Sequence, residues 1–234
     1  MIPYTVIGTG SSGNGVIIGN RILVDAGLPF VKFEPYLNDL RLVLITHEHG
    51  DHFKPSTVRR MAHDKPLLRF GCGRWMVKKL VDAGVARSQI DILVDNMAQP
   101  YKTRKTKSGQ QELMYTVIPV KVFHNVENFA YKIHFPEGKV FYATDMGNLT
   151  GIVARNYALY LVEANYKDEE LKARMDAKIA NGQYSYEQKV MKYHMSEKQC
   201  NDWLYANMGP NSEYVYLHQH IDREEPYESS DCKL

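Results

Sequence analysis

The first quarter of the chain alternates short apolar runs with glycine, asparagine and aspartate. Tyr4–Ile7, Val16–Ile18 and Arg21–Val24 read as strands bounded by turn residues. Pro29 to Leu40 reads as a helix that starts at a proline, a placement the first helical turn tolerates. Leu42-Val43-Leu44-Ile45 is a compact apolar run that stops at Thr46, the pattern of a buried strand. Helical spacing returns at Ser56–His63 and at Arg74–Ala83, the latter ended by Gly84.

Beyond a polar, lysine-rich loop lie four more strand candidates, Leu113–Val117, Val120–Phe123, Phe129–Phe135 and Lys139–Ala143. Pro136-Glu137-Gly138 forms a hairpin signal between the last two. The strand Leu159–Glu163 leads into helices over Lys167–Ala180, Tyr186–Lys192 and Ser196–Asn207, followed by a strand, Glu213–His218. Strands then helices, given twice, fit two sheets with helices on their outer faces. The expected fold class is α/β, a four-layer αββα sandwich. No Pro/Gly/Ser-rich linker separates the halves, so one domain over 1–234 is expected.

Composition changes this picture little. A hydrophobic fraction of 44% and a charged fraction of 24% are those of a globular protein, which sets aside disorder and membrane classes. The N-terminus enters a strand without a basic, apolar leader, so no signal peptide or membrane span is expected and the default setting is cytoplasmic. The formal net charge of +2 does not choose between a nucleic acid and a small substrate. Three cysteines, Cys72, Cys200 and Cys232, without a CxxC pair, argue against a disulfide framework or a thiolate zinc site.

The chemistry concentrates directly after the buried strand. Thr46-His47-Glu48-His49-Gly50-Asp51-His52 carries three histidines and one aspartate within six residues. Imidazole and carboxylate suit zinc and its borderline neighbours, and a strand end holds them rigidly. One catalytic metal needs about three protein ligands and an open position, so this loop alone cannot complete two sites. Further candidates stand at strand ends: His124, Asp145, His218 and His220. A histidine taken singly at such a place is more often a surface or hydrogen-bonded residue; taken with the loop, they form one metal-binding set. His63 and His134 stay outside it.

His47, His49, Asp51 and His52 match the HxHxDH motif of the metallo-β-lactamase superfamily, and His124, Asp145 and a late histidine follow in that family's order. The resemblance spans nearly the whole chain and implies the same αββα sandwich. By position it implies one metal on His47, His49 and His124. It implies a second on Asp51, His52 and the last histidine, with Asp145 bridging. His220-Ile221-Asp222 is similar to the family's His-aliphatic-Ser ending and makes His220 the favoured last ligand, with His218 as the alternative. Two divalent ions are expected, zinc by default, with manganese or iron admitted by the carboxylates.

Gly8-Thr9-Gly10-Ser11-Ser12-Gly13-Asn14 and Leu23-Val24-Asp25-Ala26-Gly27 resemble segments of a 5′-to-3′ exonuclease-like branch. Glu163-Ala164-Asn165 and Tyr193-His194-Met195-Ser196 look like elements of that branch and of the tRNA 3′-processing endonucleases, in which a Glu–His pair stands beside the metals. Glu163 and His194 therefore join Asp51 as expected catalytic residues; a structural pair, or an N-cap at Ser196, is the plain alternative. Asp145-Met146-Gly147 and His124-Asn125 depart from the Asp-Thr-Gly and His-Asp of relatives, which bears on metal preference. The chain has no room for a large strand-clamping insertion, and the nearest counterpart of a substrate arm is the short basic loop 101–111.

The expected function is a dinuclear phosphodiesterase or nuclease in which a hydroxide shared by the metals attacks the phosphodiester. Asp51 would orient or take the proton, and His194, backed by Glu163, would serve the phosphate or the leaving group. Nucleic acid or a small phosphodiester is the expected partner. The alternatives are hydrolysis of a cyclic nucleotide, lactone or thioester, and a non-catalytic metal-stabilised binding module. The tyrosine-rich stretch 184–205 is either core or a partner surface, and the sequence is silent on oligomeric state.

Overall fold

A computed structural model describes residues 2–103, 112–183 and 185–219. These form two six-stranded sheets. The first runs in chain order through β1 (Tyr4–Gly8), β2 (Gly15–Ile18), β3 (Ile22–Val24), β4 (Leu42–Ile45), β5 (Arg69–Cys72) and β6 (Ile90–Ile92). The second orders β12 (Glu213–Leu217), β11 (Leu159–Glu163), β10 (Gly138–Ala143), β9 (Asn128–Phe135), β8 (Leu113–Val122) and β7 (Gln99–Lys102). In each, antiparallel hairpins give way to parallel strands, β3 to β6 and β10 to β12.

Strand alternation sorts the core into layers. In β4, Leu42 and Leu44 enter the cluster between the sheets, together with Val140 and Tyr142 of β10 and Leu159 and Leu161 of β11. Val43 and Ile45 face outward, where Val58 and Met61 of α1 (Pro55–Asp64) and Leu80 of α2 (Val77–Asp82) cover them. On the far side Phe141, Ala143, Tyr160 and Val162 meet Met195 and the Cys200 and Leu204 side chains of α5 (Glu197–Asn207). The chain has the four-layer αββα architecture. Between β11 and α5 the chain forms helices α3 (Asp168–Ala180) and α4 (Glu187–Tyr193).

Several local expectations changed. The helix expected over Pro29–Leu40 is two 3-10 turns, Phe30–Lys32 and Glu34–Tyr36. Pro35 lacks the N–H that an α-helix would need there and clashes with the preceding turn. Leu113–Val117 and Val120–Phe123 are one strand, β8, which runs through Pro119. Pro119 lies past the Gln99–Val117 pair that ends the β7 ladder, where β8 is flanked by a strand on one side only and a missing N–H is tolerated. The strands β5, β6 and β7 went unread: β6 has three residues, β5 contains Gly71, and β7 contains Pro100 at a sheet edge. Most of the basic loop 101–111, Tyr184 of the tyrosine-rich stretch, His220 and Cys232 lie outside the described residues. No helix among the described residues is long and apolar enough to cross a membrane.

Candidate metal centre

The parallel strands β3, β4, β10, β11 and β12 all deliver their C-terminal ends to one edge of the sandwich, and each ends in a residue of the candidate site. Asp25 follows β3, Thr46 and His47 follow β4, Asp145 follows β10, Glu163 ends β11 and His218 follows β12. Asp25, Asp145 and His218 adopt left-handed backbone, with φ of 63°, 54° and 52°. That conformation is uncommon outside glycine and clusters where surrounding structure enforces it at functional sites.

The histidine loop is clamped backbone to backbone against the turn that follows β3. Ala26 N–H donates to His52 O at 2.9 Å, Asn14 N–H donates to Asp51 O at 2.6 Å, and Lys54 N–H donates to Ala26 O at 3.0 Å. A Cβ on Gly27 would stand 1.7 Å from Asp51 O, so only glycine fits there. From the second sheet, Tyr131 Oη donates to Ile45 O at 2.6 Å, and Asn128 Nδ2 donates to Thr144 O and Asp145 O at 3.0 and 2.6 Å.

Two groups of ligand atoms result. His47 Nε2 lies 3.0 Å from His49 Nδ1, and His124 Nε2 lies 3.4 Å from the same atom. Asp51, His52 and His218 form the other group: Asp51 Oδ2 is 3.4 Å from His52 Nε2 and 3.7 Å from His218 Nε2. Asp145 stands between them. Its Oδ2 is 2.8 Å from His52 Nε2, while Oδ1 is 3.6 Å from His218 Nε2 and 3.9 Å from His124 Nε2. Each of these sets can offer its atoms within 4.8 Å of one another. His218 Nε2 is buried without a hydrogen-bond partner, aimed into this space. An orphaned imidazole nitrogen among carboxylates and other imidazoles is the donor chemistry a divalent cation would satisfy.

The outer partners fix ring orientation. His52 Nδ1 donates to Asp25 Oδ2 at 2.7 Å, and Asp25 also accepts from Thr46 N–H and Oγ1, both at 2.9 Å. His124 Nδ1 donates to Tyr193 O at 3.1 Å. Asn14 Nδ2 reaches Asp51 Oδ2 at 3.2 Å, and Asn165 Nδ2 lies 2.9 Å from His218 Nδ1. Such partners set which nitrogen is free to ligate. Asp25, Thr46, Asn14 and Asn165 were not singled out as site residues from the sequence. The signals were present in the Leu23–Gly27 and Gly8–Asn14 segments, but a supporting role depends on pairing between distant strands.

Charge divides the two groups. Burial and the neighbouring rings drive the His47 pKa down to about 2, and burial, opposed by Asp145, holds His124 down at about 4. Those imidazoles stay neutral. Burial works against charge on His218 and His52 as well, yet nearby carboxylates outweigh it. Asp145, Asp51 and Glu163 raise His218 to about 9, and Asp145 and Asp25 hold His52 well above its ordinary value.

Glu163 and His194 meet beside the cluster. Glu163 is fully buried, His194 Nδ1 donates to its Oε1 at 2.6 Å, and Glu163 Oε2 accepts from Met146 N–H at 3.0 Å. The His194 ring stacks on His218, with centroids 5.2 Å apart, and its Nδ1 is 3.7 Å from Asp145 Oδ1. Burial opposes a charge on His194, but the Glu163 hydrogen bond overrides it and raises the pKa. His194 Nε2 has no hydrogen-bond partner among the described residues. Ser196 is also an N-cap, closing a capping box with Gln199 at the start of α5.

Every candidate except His220 is thus placed: His47, His49, Asp51, His52, His124, Asp145, Glu163 and His194 converge at one sheet edge. The last imidazole of the cluster comes from His218, the alternative; His220, favoured on the resemblance, lies outside the described residues. His63 and His134 stand apart, bonded to Asp64 and Tyr157. Cys72 and Cys200 are buried, each thiol pushed up to about 12 by burial.

Comparison with known proteins agrees with this geometry. The model of the β-lactamase superfamily domain matches residues 20–222. Exodeoxyribonuclease WalJ of Streptococcus pneumoniae is 25% identical over 245 aligned positions, covering 94% of this chain and 82% of that protein. Exodeoxyribonuclease YycJ of Bacillus anthracis is 36% identical over 76 residues, a match covering 28% of this chain and only 29% of that protein. Among solved structures, the metallo-β-lactamase fold protein YhfI of Bacillus subtilis superposes with a TM-score of 0.66 at 19% identity, covering 92% of this chain and 85% of that one. The short form of human tRNase Z superposes at 0.61 with 15% identity, covering 94% and 92%. The chain belongs to the metallo-β-lactamase superfamily.

Proposed function

We propose that this protein is a two-metal phosphodiesterase that cleaves nucleic acid. The observation that carries the proposal is the buried Glu163–His194 pair set against the ligand cluster, with a carboxylate behind the imidazole and Nε2 free in front. A lactam or thioester is neutral, whereas a phosphodiester carries a negative charge on its phosphoryl oxygens and releases an alkoxide, so a cationic proton donor complements both its charge and its leaving oxygen. The names of the WalJ and YycJ relatives support DNA as the polymer.

In this reading His47, His49 and His124 would hold one divalent ion and Asp51, His52 and His218 the other, with Asp145 available to both. Zinc suits the imidazole-rich set, and manganese or iron is compatible with its carboxylates. When bound, the metals supply charge neutralisation at the phosphoryl group and activation of the attacking water.

The chain's own groups do the rest. The neighbouring imidazoles of His218 and His52 outweigh the effect of burial and hold Asp51 ionised, able to orient a water and accept its proton. The water oxygen forms the new bond to phosphorus as the bond to the leaving oxygen breaks. His194, charged through Glu163, donates from Nε2 to that leaving oxygen. Glu163→Gln removes the carboxylate that charges His194 and is expected to lower kcat by about 10²–10³-fold on a 5′-labelled oligonucleotide, metal content being measured alongside. A variant with full metal content and wild-type kcat would refute the assignment.

A further inference from the structure

The ligand cluster is bordered by an exposed aromatic stack that the chemistry above does not use. Phe123 is 51% exposed, directly after the buried Val122 and directly before His124. Its ring stacks on Tyr193, with centroids 5.9 Å apart and planes at 25°. Tyr193 in turn directly precedes His194. Each of the two rings is therefore the chain neighbour of a site histidine. The Tyr193 ring meets His124 edge-on at 5.9 Å, and the Tyr193 carbonyl is the acceptor for His124 Nδ1.

The stack is held rigidly. Gly147 N–H donates to Phe123 O at 3.0 Å, and a Cβ on Gly147 would lie 2.4 Å from Lys192 O and 3.4 Å from Phe123 Cδ1. The segments of Phe123 and Gly147 and the last turn of α4 thus approach one another closely through their backbones. An ammonium accompanies them. Lys192 Nζ lies 5.1 Å from the Tyr193 ring centroid, and Lys192 is exposed, with no carboxylate partner among the described residues. An open hollow of about 690 Å³ lies along 121–127, lined by Phe123, His124 and Asn125 among others. A single exposed aromatic needs no explanation. A rigid pair of them with a free cation, in ring contact with a ligand histidine and opening on a hollow, is the combination used to hold unpaired bases.

We propose that Phe123, stacked on Tyr193, is the platform for a nucleobase next to the scissile phosphate, with Lys192 meeting the adjoining backbone, so that the substrate is a single-stranded or frayed nucleic-acid end. The proposal rests on the phosphodiesterase reading and narrows it to substrates that bear an unpaired base. A base paired within a duplex shows its faces to its neighbours and cannot lie on Phe123 without leaving the stack.

The test uses the metal-loaded full chain and single-stranded oligonucleotides in which each of the three nucleotides at either end is replaced in turn by an abasic analogue. One position is expected to lower wild-type kcat/KM by about five- to hundredfold, the range that losing one stacked base entails. Phe123→Ala is expected to shrink that base-over-abasic ratio at least fivefold, and Phe123→Trp to restore it. Metal content and melting temperature report whether the variants are intact, and the wild-type abasic scan stands without them. Cleavage with no abasic-sensitive position, or a ratio unmoved by Phe123→Ala, overturns the platform and leaves the phosphodiesterase reading standing. Hydrolysis of bis-p-nitrophenyl phosphate without cleavage of any oligonucleotide overturns the platform and the nucleic-acid substrate together, leaving only phosphodiester chemistry. Activity on neither substrate overturns both.

Discussion

Replacing Asp25 with asparagine tests how the second group of ligands is organised, because it replaces one carboxylate oxygen by NH2 and changes little volume. Asp25 is fully buried and accepts from His52 Nδ1, from Thr46 N–H and from Thr46 Oγ1. Asparagine keeps one acceptor. If that oxygen stays with Thr46, an NH2 group faces His52 Nδ1 and forces the ring proton onto Nε2, the nitrogen that faces Asp145 at 2.8 Å. If the amide turns over, the Thr46 N–H loses its acceptor. Either arrangement forfeits one hydrogen bond to a charged group, worth about 1.5–3 kcal/mol, or strands a buried donor at similar cost. Asparagine tolerates the left-handed backbone of this position, so strain adds little. Affinity for the metal on Asp51, His52 and His218 is expected to fall roughly 10–100-fold, the usual effect of losing such a partner. The metal on His47, His49 and His124 should change far less, since only Thr46 Oγ1, 2.9 Å from His47 Nδ1, links Asp25 to it. Competition against a chromophoric chelator separates the two. Two wild-type affinities in the Asp25→Asn protein would refute this account of the second group.

Acidification should act on the same group. A proton and a metal compete for one ring nitrogen, so a raised pKa makes binding pH-dependent below that pKa. With His218 at about 9 and His52 also raised, the second metal should weaken by roughly tenfold per pH unit for each proton displaced as pH falls from 8 to 6. The first metal should weaken less over that window, because two of its imidazoles, His47 and His124, are held down at about 2 and 4; metal content after dialysis at each pH decides it. Gly27→Ala drives a Cβ into the Asp51 carbonyl and should destabilise the fold by about 1–3 kcal/mol in urea unfolding while loosening metal binding, and an unchanged midpoint would contradict the close approach.

The legible part of the molecule is the part with a strong local signature. The Leu42–Ile45 run and the motif at 47–52 announced a buried strand carrying ligands, and strand ends at His124 and Asp145 were visible as ends of apolar runs. The layer order followed from the alternation of strand and helix patterns. What stayed hidden was set by tertiary pairing. The β5 and β6 strands are too short to show a period and exist because β5 pairs with β4 and β6 with β5. The helix expected after Pro29 broke at Pro35, and the tyrosine-rich stretch is no simple core face: Tyr205 is 93% exposed and Tyr186 47%, with Tyr193 half-buried beside the site. At the end of β12, strand alternation places His218 and His220 on the same side and cannot choose between them. The left-handed turn at His218, which carries its ring inward, has no sequence signature of its own.

The central claim is that the converged imidazoles and carboxylates hold metals that cleave phosphodiesters of nucleic acid. It is tested most directly by stripping the protein with chelator, restoring zinc or manganese, and following 5′-labelled single-stranded DNA on a sequencing gel. The account predicts no cleavage by the stripped protein, cleavage recovered as metal approaches two equivalents per chain, and loss of both cleavage and one equivalent in Asp145→Asn. Two equivalents bound with the DNA left intact, or cleavage that survives in Asp145→Asn, would contradict it.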